Sequence, residues 1–265
     1  MYNSFQLAKK YLHYCFTASN GKGHGVHSPF VFDLIKNVLR DKKIYEWYAV
    51  IETGRQKLLN QLAQIEVEDL GAGSAIIKTK KRVVADMAKS SLKPKKYAQL
   101  LFRIVKYYRL ETIVELGTSF GITTSYLAAG NANGKVYTIE GSAAIAEIAQ
   151  KTFKRMDLGN IELTTGNFNN TLPALLAKLN TIDLAFIDGN HRKEPTLDYF
   201  TQLLNRSKQN SILIFDDIHW SADMEAAWTE IKQHSSVTLT IDLFFIGLVF
   251  INPDFKIKQH FTIRF

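Results

Sequence analysis

The chain has 265 residues, 46% of them hydrophobic, and a net charge of +8 split unevenly: residues 1–110 hold 20 Lys/Arg against 8 Asp/Glu, residues 111–265 hold 13 against 17. That length suits one large domain or a domain with an extension, and no apolar run reaches the roughly 20 residues that span a bilayer. The lone cysteine, Cys15, excludes an internal disulfide, and the first 15 residues lack the apolar stretch of a secretory signal, so a cytoplasmic protein without a membrane partner is expected.

Phe5, Leu12 and Phe16 recur at helical spacing over residues 3–16, and Phe30, Val31, Leu34, Ile35 and Val38 do so over 29–40. Between them "SNGKGHGVHSPF" reads as a glycine-rich loop whose Ser28 and Pro29 favour a helix start. His24 and His27 lack a nearby cysteine or carboxylate and make a poor metal-ligand set. Packing of a helical cap is the plain reading of this loop, and a lid over a ligand, using a histidine or Phe30, is the sharper one. A third helix is predicted over 45–64 from Trp47, Val50, Ile51, Leu58, Leu59 and Leu62.

The stretch "KTKKRVVADMAKSSLKPKK", residues 78–96, carries eight Lys/Arg and one Asp. A basic block attracts phosphates, nucleic acid or an acidic partner, but no aromatic residues interleave with the lysines as stacking platforms would. A solvated helical face is the plainer reading. Residues 1–95 are therefore expected to form a helical, basic cap and residues 96–265 a second domain.

From residue 97 the pattern changes. A helix over 97–109 leads into short apolar runs alternating with helical stretches: "TIVEL" (112–116), "KVYTIE" (135–140), "NIELTTG" (160–166), "IDLAFID" (182–188) and "SILIFDD" (211–217). Such alternation predicts crossover connections and a mostly parallel sheet. The run "VTLTIDLFFIGLVFIN" (237–252) holds two adjacent strands with no room for a helix between them, which predicts an antiparallel pair at the sheet edge. A last short strand is expected in "HFTIRF".

Two glycine loops compete as a nucleotide-binding element. Residues 112–130 supply a strand, then Gly117 and Gly121, then the helix "ITTSYLAA", and Glu140 closes the next strand 23 residues after Gly117. That order gives backbone amides access to a ligand and an acid for ribose hydroxyls. The earlier "EVEDLGAGS" (66–74) is followed by a lysine-rich tract, and Asp86 comes only 15 residues after Gly71. Gly71 and Gly73 are better read as a sharp turn where the helical region meets the next domain, with a lid over a bound cofactor as the other reading. Neither the dinucleotide pattern G-x-G-x-x-G nor a P-loop is present.

"VELGTSFG" resembles the E/D-x-G-x-x-x-G signature of class I S-adenosylmethionine (SAM) methyltransferases, and residues 97–252 are most similar to the small-molecule O-methyltransferases related to catechol O-methyltransferase. The resemblance implies an α/β, Rossmann-like, doubly wound sheet of seven mostly parallel strands with an antiparallel last strand, behind an N-terminal helical extension. It implies SAM as cofactor, with Glu115, Gly117, Thr118, Ser119 and Gly121 about its methionine part and Thr123 or Thr124 near its carboxylate. Glu140 with Gly141 would take the ribose, Gly166, Asn167 and Phe168 the adenine, and Asp188 would also face the cofactor.

Asp188, Asp216 and Asp217 close the fourth and fifth expected strands, the edge where open α/β sheets bind ligands. Cation-dependent members of the family carry an Asp and an Asp-Asn pair there; the Asp-Asp pair here is a departure. Three carboxylates suit Mg²⁺ or another divalent cation, although His191 and His219 nearby suit a softer metal or none. His191 falls where the family carries its general base, and an ordinary imidazole pKa near ~6.5 suits that work; its bland alternative is a cap on the next helix. Trp220 and Trp228 could line the acceptor site, although Trp228, on a helix, more often belongs to a core.

The expected function is in-line methyl transfer from SAM to an oxygen of a small-molecule acceptor. Two other readings compete with it: an RNA methyltransferase, against which stands the lack of an N/D-P-P-Y-type tetrapeptide, and a non-catalytic methyltransferase-like binding protein. Dimers are common in the resembled family, so the resemblance allows a homodimer and leaves the assembly open.

Overall fold

A computed structural model of the chain describes residues 1–19, 21, 27–67 and 81–265. The chain divides into two compact units, one of Met1–Asp41 with Asn180–Phe265 and the other of Lys42–Leu179.

The first unit begins with helix α1, Ser4–Thr17, opened by a reciprocal cap in which Asn3 Oδ1 accepts from Gln6 N at 2.9 Å and Gln6 Oε1 from Asn3 N at 3.0 Å. Its signalling residues face outward: Phe5, Leu12 and Phe16 are 79%, 58% and 86% exposed. Tyrosines dock the helix instead. Tyr14 donates to the Ile263 carbonyl at 2.5 Å and packs on Phe244. Helix α2, Pro29–Leu34, starts where Ser28 Oγ accepts from Val31 N, and continues into a π-helical turn, Ile35–Leu39. Phe30 packs edge-on against Phe250 and Phe255, which favours the packing reading for this end of the loop; His24 lies outside the described residues.

In the second unit, helix α3, Glu46–Leu59, ends before the expected residue 64. Gln64–Glu66 forms strand β1, antiparallel to β2, Lys81–Val83, with Ile65 opposite Arg82. The switch has a backbone cause, since the Ala63 and Gln61 carbonyls accept from Val84 N and Ala85 N instead of extending the helix. The glycines of "EVEDLGAGS" lie outside the described residues. The end of the lysine-rich tract forms helix α4, Val84–Ser91, which buries Val84, Ala85, Met87 and Ala88.

Helix α5, Lys95–Tyr108, leads into β3 (Thr112–Leu116), α6 (Ile122–Gly130), β4 (Lys135–Glu140), α7 (Ala143–Arg155), β5 (Ile161–Thr165) and α8 (Phe168–Leu176). β4 lies between β3 and β5, parallel to both. α3 is tied to α6 by Tyr126, whose hydroxyl donates to Glu52 Oε1 at 2.8 Å, while Arg55 Nε donates to both oxygens of Glu52.

The first unit resumes with β6 (Ile182–Ile187), α9 (Lys193–Leu204), β7 (Ser207–Asp216), α10 (Ala222–Gln233), β8 (Leu239–Asp242), β9 (Ile246–Phe250) and β10 (Gln259–Thr262). Their order is β10-β8-β9-β7-β6, with β9 antiparallel to β7 and β8 and the other pairs parallel. The α/β alternation and the antiparallel pair are as expected, but the pair does not form the sheet edge, because β10 adds parallel to β8 outside it. β10, from "HFTIRF", adds an eighth strand to the seven implied by the resemblance. Trp228 on α10 is core, as its helical position suggests, and Gly247 on β9 is required beneath it, because a Cβ there would lie 2.7–3.0 Å from the indole. Among the described residues no helix is long and apolar enough to cross a membrane.

Glu225 on α10 latches α1. It accepts from the Tyr2 hydroxyl at 2.7 Å and from Lys10 Nζ at 2.9 and 3.0 Å, and it meets His219 Nδ1 at 2.9 Å. Burial raises the carboxyl pKa, but the hydrogen bonds from Tyr2, Lys10 and His219 outweigh it, so the net pKa lies below the ordinary glutamate value. Its contribution is therefore present above that ordinary value and is lost as pH falls through the lowered one. Glu225→Gln is expected to cost about 1–3 kcal/mol and to speed amide exchange throughout α1 at neutral pH. Unaltered exchange in α1 would show that Glu225 is no latch.

Candidate functional site

The glycine loop of the second unit is built from backbone that side chains avoid. Gly117 and Gly121 have φ of 100° and 81°, and Ser119 between them has 48°. A Cβ on Gly121 would run into the Phe153 ring and reach 3.3 Å from Ala149. Gly117 and Ser119 are half-exposed, while Thr118, Phe120 and Gly121 are buried, so the loop offers its first and third residues outward.

The end of β4 holds this loop. The Ile139 carbonyl accepts from Gly117 N at 3.0 Å and Thr118 N at 3.2 Å. Glu140 Oε2 accepts from Ser119 N at 2.9 Å, and its Oε1 from Ser142 N at 3.0 Å. Burial pushes the Glu140 carboxyl above its ordinary value, opposed by the amides of Ser142, Ser119 and Gly141. An ionised carboxylate has about four lone-pair sites, so these three amides leave Glu140 capacity for a further donor. Gly166 N donates to the Glu140 carbonyl at 2.8 Å, bringing Gly166, Asn167 and Phe168 to the same strand end, where Asn167 caps α8 through Asn169 N.

Two expected contacts lie deeper. Thr123 is buried in the first turn of α6. Glu115 is fully buried, with Oε2 accepting from Thr124 Oγ1 at 2.5 Å and Thr138 Oγ1 at 2.6 Å. Sequence reasoning placed Glu115 beside a ligand and overlooked Thr138; the signal was a hydroxyl two residues before Glu140, on the same face of its strand. Ser91, at the end of α4, meets Ser119 Oγ at 3.1 Å.

The first unit carries a second cluster. Asp188, just after β6, His191 three residues on, and Asp216 at the end of β7 bring their ligand atoms within 4.8 Å of one another. His191 Nε2 stands 3.6 Å from Asp188 Oδ1. Asp216 is buried; Asp188 and His191 are half-buried. His191 does not cap α9, since the N-cap position belongs to Arg192. Asp217 has φ of 52°, donates its amide to the Phe245 carbonyl, and lies outside the three-residue group.

His219 is likewise engaged elsewhere. It bridges Glu225 and Asp242, with Nε2 2.8 Å from Asp242 Oδ2, and stacks on Phe244. Burial depresses its pKa, but the hydrogen bond and charge of Asp242, followed by those of Glu225, outweigh it and raise the net value above 6.5. It anchors α1 rather than joining the Asp188 group. Trp220, half-exposed, accepts from Tyr2 N through its carbonyl at 3.1 Å.

Residues 114–218 match the sequence model of a family described as a methyltransferase domain. The chain resembles the O-methyltransferase from Bacillus cereus solved in complex with SAH, at 22% identity over 83% of this chain and 97% of that one, with a TM-score of 0.56. It also resembles the O-methyltransferase TomG from Streptomyces achromogenes, solved with SAM and involved in tomaymycin synthesis, at 17% identity over 79% and 91%, TM-score 0.57. SAH-bound PaMTH1, a methyltransferase from Podospora anserina, matches at 12% identity over 95% and 97%, TM-score 0.57. No curated protein matches the chain.

The chain therefore has the fold of the Rossmann-like methyltransferases. Residues 114–218, the part that matches the methyltransferase-domain model, include the glycine loop, Glu140, Asp188, His191 and Asp216.

Proposed function

We propose that the protein is a SAM-dependent methyltransferase that transfers a methyl group to an oxygen of a small molecule. One observation carries this: a left-handed glycine loop whose amides and Glu140 carboxylate meet at the end of β4, within the segment matched as a methyltransferase domain. Gly117, Thr118, Ser119 and Gly121, with Glu115 and Thr123 behind them, shape the bed for the methionine part of SAM. Glu140 and Gly141 receive the ribose hydroxyls, which the free acceptor capacity of Glu140 suits, and Asn167 and Phe168 border the adenine. The cofactor supplies a methyl group already activated on a sulfonium.

On the acceptor side, Asp188 and His191 serve the reacting oxygen. His191, 3.6 Å from Asp188, takes the proton that the acceptor must lose, and a general base contributes about 10²- to 10⁴-fold. Two carboxylates and an imidazole also fit a divalent cation, which would stabilise the acceptor as its oxyanion; Asp188 and Asp216 would hold it, with Asp217 the other carboxylate on that strand end. The spacing of the cluster favours a second reading in which His191 is itself a ligand, and an imidazole in the set suits Mn²⁺ or Zn²⁺ better than Mg²⁺. In either case every catalytic residue falls within 96–265, and residues 1–95 act as a basic cap.

The test is transfer of labelled methyl from SAM to a panel of phenols and vicinal diols, with and without a chelator, by the unmodified chain and by His191→Ala. A 10²-fold or larger loss in the variant is expected if His191 is the base, with binding of added Mn²⁺ retained. Loss of Mn²⁺ binding along with activity assigns His191 to the cation instead. Full activity in His191→Ala would remove it from the chemistry.

A further inference from the structure

Three consecutive residues of β4 grip the glycine loop by different means. Ile139 does so through its carbonyl and Glu140 through its carboxylate, as described above. Thr138 does so through a hydroxyl chain. Its Oγ1 donates to Glu115 Oε2 at 2.6 Å and lies 2.6 Å from Thr118 Oγ1, inside the loop.

The direction of that chain follows from proton counting. An ionised Glu115 can only accept, and a threonine hydroxyl has one proton to give. Thr138 spends its proton on Glu115 and must therefore accept from Thr118. The order is Thr118 to Thr138 to Glu115, with Thr124 of α6 donating to the same carboxylate oxygen. All four groups are buried: Thr118 and Thr138 are 1% exposed, Thr124 and Glu115 0%. Glu115 is also the register partner of Thr138 across the β3–β4 pair. One carboxylate oxygen thus joins two strands, the loop and the helix that follows it.

We propose that Thr138 is a positioning residue for the cofactor, acting through Thr118 to hold residues 117–121 in their binding conformation. This rests on the reading of that loop as the SAM site. Left-handed backbone at Gly117, Ser119 and Gly121 persists only where the surroundings over-determine it. Thr138 supplies the one side-chain tie from β4 to the loop that reaches Thr118. Without its hydroxyl the Thr118 donor and half of the Glu115 clasp lose their partner inside a sealed interior, and the loop relaxes away from its binding geometry.

The experiment is calorimetric titration with S-adenosylhomocysteine (SAH) of the unmodified chain, Thr138→Val and Thr138→Ser, with melting temperatures recorded alongside. Val keeps the β-branched shape that suits a strand; Ser restores the hydroxyl. Thr138→Val is expected to bind SAH about ten-fold more weakly and to raise KM for SAM more than it lowers kcat, while Thr138→Ser stays near the parent. A Thr138→Val chain that melts lower yet binds SAH with parental affinity overturns the proposal, since a purely structural threonine would behave that way. Should Thr138→Val fail to fold, Thr118→Val cuts only the loop end of the chain and leaves Glu115 both of its donors. It too must weaken SAH binding, and parental affinity there overturns the proposal equally. If the unmodified chain does not bind SAH, the cofactor reading itself falls and this proposal falls with it.

Discussion

Gly117→Arg is expected to bind SAH at least ~100-fold more weakly than the parent chain, a loss of about 2.7 kcal/mol. Gly117 is half-exposed with φ of 100°, a conformation that glycine adopts freely and other residues do not. Its amide is already committed to the Ile139 carbonyl, so the backbone cannot swing away to relieve a side chain without releasing β4. The strain alone costs about 1–3 kcal/mol, a few degrees of melting temperature in a chain of this size. Binding should therefore fall far more than stability. A variant that melts a few degrees lower but retains parental SAH affinity would show that the cofactor is held elsewhere.

Asp188→Asn is expected to lower methyl transfer by about 10²- to 10⁴-fold. The substitution keeps the shape of the side chain and removes its charge, and Asp188 is the member of its cluster that stands 3.6 Å from His191. An amide cannot favour the imidazolium that forms when His191 takes a proton, nor hold a cation as an oxyanion does. The variant should also lose sensitivity to chelators if the cluster binds a metal. Half-burial of Asp188 makes a large folding defect unexpected, so melting temperature separates the two causes. Rates within a factor of two of the parent would remove Asp188 from catalysis.

The strands of the catalytic region were legible because their signal is local: short β-branched and apolar runs, each closed by an acid or glycine, with helical stretches between. The antiparallel β9 was legible for a geometric reason, since the chain between β8 and β9 is too short for a crossover. The helices near the N-terminus were legible as helices but not in their facing. Phe5, Leu12 and Phe16 gave the period, yet α1 docks by Tyr2, Lys10 and Tyr14, whose partners Glu225 and Ile263 lie more than 200 residues away. No window of sequence contains such a contact.

The same limit governs the cluster around Asp188. The sequence offered Asp188, Asp216 and Asp217 as carboxylates and His191 and His219 as histidines near the same strand ends, without showing which of them meet. Burial and partner geometry separate them: Asp188, His191 and Asp216 converge, while His219 is held between Glu225 and Asp242. The lysine-rich tract was legible only in its charged side. Its charge suggested a helix face turned wholly to solvent, but α4 also buries a face through Val84, Ala85, Met87 and Ala88. Thr138 escaped notice because a threonine in a strand is unremarkable until its neighbours are known.

The most direct test of the central claim is calorimetric titration of the unmodified chain with SAH, with and without Mg²⁺. The account predicts saturable binding at one site per chain, with an affinity on the order of micromolar to sub-millimolar, the usual range for enzyme ligands. Absence of binding at millimolar SAH under both conditions would contradict it, and would leave a methyltransferase fold whose glycine loop serves another purpose.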